Sequence, residues 1–135
     1  MSIHKISSRK IGLEIEEEAC EYLRRNQYHV ICRNFVSRYG EIDIVAFDET
    51  ALVFIEVRYR RRGALVTPAE SVTSRKLQRL KLAIRDFLYK HTETVGHFES
   101  IRVDLCSVTD SMDKGNRRGD AAELDFQITK GILGF

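Results

Sequence analysis

The sequence has no tryptophan, one proline, two methionines and three cysteines among 135 residues. Cys20, Cys32 and Cys106 are odd in number, far apart and in no CxxC pair. That pattern argues against both a disulfide framework and a structural zinc site. His4, His29, His91 and His97 are equally scattered, so both residue types read as ordinary core or surface. There are no repeats or low-complexity tracts, and the single proline, Pro68, falls in an expected loop. The expectation is one globular domain over 11–135 behind an N-terminal tail, 1–10. A chain of this length buries roughly two-thirds of the surface that its unfolded form exposes, so it needs no metal or disulfide to fold. No apolar stretch approaches the ~18 residues of a membrane span, and the charged stretch Met1 to Lys10 does not read as a secretory signal. A soluble, cytoplasmic protein with no membrane partner is expected.

A strong net charge is missing too, since 22 Lys and Arg against 20 Asp and Glu leave +2. The distribution is more telling than the sum. Between Val57 and Lys90 lie Arg58, Arg60, Arg61, Arg62, Arg75, Lys76, Arg79, Lys81, Arg85 and Lys90, against only Glu70 and Asp86, so ten minus two gives +8. A polyanion partner is the simplest use of such a stripe. A solvated helix face beside a charged loop is the plain alternative.

Periodicity supplies the elements. From Ile11 to Asn26, Gly12, Ile15, Ala19, Tyr22 and Leu23 share one helical face and Glu14, Glu17, Glu18 and Glu21 the other. Glu16 departs from its acidic neighbours and projects to the edge of the apolar arc. Tyr28 to Val36, Gly40 to Phe47 and Leu52 to Arg60 read as strands, the last two as a hairpin. After the loop Arg61 to Glu70, a helix capped by Thr73 or Ser74 runs to His91 on a stripe of Leu77, Leu80, Ile84, Phe87 and Leu88. Strands around Ile101 to Leu105 and Leu124 to Ile128 follow, with 111–120 as a mobile loop between them. The order of elements gives an α/β fold with a mixed sheet.

The hairpin carries the chemistry. A symmetric turn between Glu49 and Thr50 sets Asp43 opposite Glu56. Strict alternation puts Ile42, Ile44, Ala46, Val53, Ile55 and Val57 on a core face, and Glu41, Asp43 and Val45 beside Phe54, Glu56 and Arg58 on the other. Opposed residues in such a pair have Cβ atoms about 4.5–5.5 Å apart, where like charges are destabilising. Arg58, a divalent cation or a shared proton could each relieve the two carboxylates. Arg58 could instead pair with Glu41 across the strands.

Asp43, followed by Glu56-Val57-Arg58, resembles the PD-(D/E)XK nuclease signature. Gly40 to Ala46 and Val53 to Arg60 resemble more closely the YraN family of endonuclease-like proteins. The similarity extends to Glu16, Ala19, Tyr22 and Leu23, to Arg33-Asn34-Phe35, to Ser71-Val72-Thr73 with Lys76, and to Arg102-Val103-Asp104. The resemblance implies a restriction-endonuclease-like three-layer fold, akin to Holliday-junction resolvases, in which helices flank a mixed sheet. It implies Mg²⁺ or Mn²⁺ held by Asp43, Glu56, Glu16 and the backbone carbonyl of Val57. It implies a metal-dependent endonuclease, structure-selective or nonspecific, with DNA ahead of RNA as partner, and it admits a homodimer. Arg58 would then steady the phosphate, and Arg60, Arg61, Arg62, Arg75, Lys76 and Arg79 would follow the nucleic-acid backbone. The usual lysine of the signature is replaced by Arg58, which cannot serve as a general base. The alternative is a nucleic-acid-binding protein of the same fold with little or no hydrolysis.

Overall fold

The structure, a computed structural model, describes residues 2–110 and 124–134, with side chains from residue 12 onward. The first helix, α1, spans Ser2–Arg25, so it starts well upstream of the Ile11 that the periodicity predicts. Its C-terminus is closed by Gln27 in the left-handed region (φ 66°), with Tyr28 N donating to Leu23 O at 2.9 Å and Gln27 N to Arg24 O at 3.2 Å. This is the helix-ending pattern that satisfies the last carbonyls, and Arg24 and Arg25 in the final turn complement the helix dipole.

Strands β1 (His29–Ser37), β2 (Gly40–Asp48) and β3 (Ala51–Arg61) follow, and then a 3₁₀ turn at Ala69–Ser71. Helix α2 (Ser74–Val95) is capped by the Thr73 side chain, which accepts from Lys76 N, and it ends at Gly96 (φ 83°). Strands β4 (Ser100–Asp110) and β5 (Leu124–Thr129) complete the set. They form one five-stranded sheet in the order β1-β2-β3-β4-β5. β3 and β4 are parallel, and every other pair is antiparallel. The expected mixed α/β architecture is therefore present. The predicted loop 111–120 lies outside the described residues.

The sheet is buried on both faces, which is why its central strands read as nearly unbroken apolar runs. On one face Ile44, Ala46, Val53, Ile55, Cys106 and Val108 pack against Ile15, Ala19, Cys20 and Leu23 of α1. On the other, Ile42, Val45, Leu52, Phe54 and Val103 pack against Leu80, Ala83, Ile84 and Phe87 of α2. Phe87 meets Phe54 and Phe35 edge-on, with centroids 5.5 and 5.1 Å apart; contacts of this kind add about 0.5–1.5 kcal/mol each beyond burial. Cys20 and Cys106 are fully buried and free, and burial pushes the Cys106 thiol up to about 12.

One expectation about the faces needs correction. Strict alternation puts Ile42 with Ile44, yet Ile42 joins the α2 layer and Ile44 the α1 layer. Strand β1 shows the same slip, because Cys32 and Phe35, three residues apart, both pack toward α2. The Cα register keeps step through this region, with Arg33 opposite Ile44 and Phe35 opposite Ile42. Between those pairs sits Asn34, in the left-handed region at φ 53°. Asparagine tolerates that conformation better than other residues with a Cβ. Two neighbouring strands thus turn over together at Asn34 and Asp43, and that twist builds the site.

Candidate metal centre

The turn at Glu49 (φ 55°) and Thr50 holds the predicted hairpin register, from Asp48 opposite Ala51 to Ile44 opposite Ile55. The ladder ends there. Beyond Ile55 strand β3 stays paired with β4 through Arg61, while the Asp43 carboxylate takes the place of a β2 backbone group. Its Oδ2 accepts from Val57 N at 2.8 Å. Val57 therefore meets Asp43 through its N–H.

The slip gathers acids from two elements. Carboxylate oxygens of Glu16 (α1), Glu41 and Asp43 (both β2) lie within 4.8 Å of one another. Glu56 faces Asp43 closely enough that each acid shifts the ionisation of the other. Burial first, and the Glu56 charge second, push Asp43 up from its ordinary 3.8 to about 8, and the Val57 N–H opposes them. Burial also raises Glu56, with Arg58 as the main offset. It raises Glu16 as well, where the Asn34 amide opposes it and Glu41 adds to it. Glu16 Oε1 is buried without a hydrogen-bond partner among the described residues.

Arg58 does not cross to Glu41. Its Nε sits 3.3 Å from Glu56 Oε2, off the hydrogen-bond direction, and its Nη2 donates to Ser71 O at 3.4 Å. Lys76 Nζ donates to the same carbonyl at 3.2 Å. Glu41, Glu56, Arg58, Lys76 and Arg79 line a cavity of about 220 Å³. The site thus places an acidic cluster against a rim of three cations.

The sequence-predicted residues divide accordingly. Glu16, Asp43, Glu56, Arg58, Lys76 and Arg79 come together. Arg75 is exposed on the first turn of α2. Arg60 turns back to donate to Tyr59 O at 2.7 Å. Arg61 and Arg62 lie elsewhere: Arg61 lines a larger hollow of about 820 Å³ between α1 and β5, and Arg62 pairs with Asp125 at 3.3 Å. Glu41 was not expected among the clustered acids, although its place two residues before Asp43 on one strand was a readable signal.

A second set of buried polar groups was also missed. Asp104 is fully buried and accepts from Tyr28 Oη at 2.8 Å, from Arg102 Nε and Nη2 at 2.8 and 2.9 Å, and from Gly131 N at 3.1 Å. Arg102 also donates to Asp48 at 2.7 Å, as Lys130 does at 3.2 Å. These donors, Arg102 foremost, hold Asp48 below the usual carboxylate range. The hydrogen bond to Asp104 holds Arg102 above its ordinary value.

Fold and site define an α/β protein of three layers with an under-neutralised acidic cluster at the fork of two central strands. The sequence profile of the Uncharacterised protein family UPF0102 matches residues 15–108, and the chain belongs to that family. It is similar to a UPF0102 protein of Dichelobacter nodosus, 43% identical over 91 residues that cover 67% of this chain and 72% of the relative. It is also similar to UPF0102 proteins of Marinobacter nauticus and Carboxydothermus hydrogenoformans. Each is 42% identical over 103 residues, or 76% of this chain, covering 80% and 85% of the relative. None of these names states an activity.

Proposed function

We propose that the chain is a metal-dependent nuclease of the PD-(D/E)XK kind acting on DNA in the cytoplasm. The observation that carries this reading is the acidic cluster itself. Glu16, Glu41 and Asp43 crowd together with Glu56 alongside, and the donors around them are too few. Carboxylates drawn together against their repulsion, with Asp43 raised to about 8 and Glu16 Oε1 unpartnered, suit a hard divalent cation. The donors are all oxygen, as Mg²⁺ and Mn²⁺ prefer. Asp43, Glu56 and Glu16 would hold the ion, with Glu41 and the Val57 carbonyl as further oxygen donors. When bound, such an ion activates water and polarises a phosphate.

The remaining groups act on the nucleic acid. Arg58, ion-paired to Glu56 and tethered to Ser71 O, is placed to hold a phosphate oxygen and stabilise its growing charge. Because arginine keeps its proton, it takes no part as a base. Lys76, Arg79 and Arg75 on the first turns of α2 would follow the phosphate backbone, which supplies salt-sensitive affinity without sequence reading.

The test is the purified full chain with Mg²⁺ or Mn²⁺ on single-stranded, duplex and flapped DNA. Cleavage should appear with metal and vanish with EDTA, and Asp43→Ala and Glu56→Ala should abolish it. Cleavage that persists in both variants rejects the site. One observation favours a second reading, a DNA-binding protein without turnover: Arg58 stands where a lysine is usual and already pairs with Glu56. That reading predicts salt-sensitive binding with no product under any metal.

A further inference from the structure

Between the end of β3 at Arg61 and the 3₁₀ turn at Ala69 the chain makes a loop whose exposed apolar tip is Leu65-Val66. Leu65 is 101% exposed and Val66 42%. A single exposed leucine is ordinary on a protein surface and has no meaning alone. Three features set this tip apart.

Both feet of the loop are fixed. Ala64 N donates to Arg61 O at 3.0 Å. On the returning limb, Thr67 N donates to Glu70 Oε1 and Glu70 N to Thr67 Oγ1, both at 3.1 Å, and Ser71 Oγ donates to Pro68 O at 2.6 Å. The Thr67–Glu70 exchange is a capping box, so the apolar tip stands on a braced base. That base also touches the site, because Ser71 O accepts from both Arg58 and Lys76. Finally, the surroundings are cationic. Arg58, Arg75, Lys76 and Arg79 flank the loop in sequence against one acid, Glu70, whereas Arg61 turns to the hollow beside α1 and Arg62 pairs with Asp125. Glu70 is the residue engaged in the capping box.

An apolar tip rising from a basic platform beside a phosphate site fits a polyanion that also offers apolar faces. Nucleic acid is such a partner, its phosphates on the cations and its bases at the tip. Small apolar side chains enter a base stack as wedges, and they do so most readily where stacking is already interrupted. We infer that Leu65 and Val66 form a wedge that senses breaks in base stacking, so the preferred partner is DNA carrying a nick or a flap rather than continuous duplex. The inference rests on the nucleic-acid reading of the adjoining site but is independent of hydrolysis.

The experiment uses the full chain in EDTA, so that no cleavage intervenes. Fluorescence anisotropy compares a continuous duplex with the same duplex bearing a flap, and a 2-aminopurine at the flap reports unstacking. The wild type should bind the flapped DNA about tenfold more tightly and brighten the 2-aminopurine, a modest gain of the size a few apolar contacts supply. Leu65→Ser with Val66→Ser changes only exposed side chains. It should keep duplex affinity and thermal midpoint, lose the brightening, and bring the two affinities within about twofold of each other. Arg75→Ala with Arg79→Ala should weaken both DNAs alike.

Equal binding of both DNAs by the wild type overturns the wedge alone, as does a preference that survives Leu65→Ser with Val66→Ser. Wild-type binding to phosphatidylglycerol vesicles that is lost in the serine variant assigns the tip to a lipid surface and likewise overturns it. No binding to either DNA at low salt overturns the nucleic-acid reading itself, and the wedge with it.

Discussion

Strand β2 carries an aspartate in each half, Asp43 and Asp48, and the two are treated in opposite ways. Asp48 receives Arg102 and Lys130, and the neighbouring Asp104, fully buried, accepts four hydrogen bonds from Tyr28, Arg102 and Gly131. Among the described residues, Asp43 accepts one N–H, from Val57, and has Glu16, Glu41 and Glu56 around it. Both halves withdraw acids from water, and only one supplies the donors that withdrawal demands. A saturated buried acid belongs to the architecture. An acid left short of donors marks a place kept for something else.

The comparison can be broken most sharply in the acidic half. Asp43→Ala or Glu56→Gln should lower divalent-dependent cleavage by about a hundredfold or more while circular dichroism stays native. Equal activity would put the chemistry elsewhere. In the saturated half the expected loss is of stability. Asp104→Ala strands Arg102 and the Tyr28 hydroxyl and should cost about 3–5 kcal/mol in urea unfolding; a cost near zero would remove the structural role.

The two halves should also answer pH with opposite signs. Asp43 is raised from 3.8 to about 8 in the fold, so below 3.8 folded and unfolded chains alike hold its proton. Between those values the unfolded chain releases the proton first, and metal-free stability falls as pH rises toward 8. Asp48 is lowered, so its contribution is present above the ordinary aspartate range and is lost as pH falls through the depressed value. Thermal midpoints across pH for Asp43→Asn and Asp48→Asn should each flatten one side of the profile. A smaller effect sharpens the geometry between the halves. Asn34→Gly keeps the left-handed backbone and should change the midpoint little, whereas Asn34→Val should cost about 1–3 kcal/mol and weaken Mn²⁺ binding by disturbing the slip that aims Asp43.

Much of this was legible beforehand. The hairpin turn at Glu49 and Thr50, the approach of Asp43 to Glu56 and the inward placement of Glu16 all follow from period and spacing. What escaped did so for identifiable reasons. Alternation assumes an unbroken pleat, and the left-handed Asn34 breaks it, so Ile42 changed layers. Tyr28 and Asp104 are 76 residues apart, and no local pattern pairs them. Arg61 and Arg62 looked continuous with Arg58 and Arg60, but neighbouring side chains along a strand point to opposite faces, which turns Arg61 away from Arg58 and Arg60, and Arg62 lies past the end of β3, where it pairs with Asp125.

The two apolar layers have a consequence for how such proteins change over time. They close on Ile44, Ala46, Val53 and Ile55 beneath α1, and on Val45, Leu52 and Phe54 beneath α2, without the Glu16, Glu41, Asp43 or Glu56 carboxylate among them. A descendant that exchanged Asp43 and Glu56 for neutral look-alikes would keep its silhouette and even gain robustness. Retired copies and working copies would then be indistinguishable in outline, and only the residues standing where this chain has Glu16, Glu41, Asp43 and Glu56 would tell them apart.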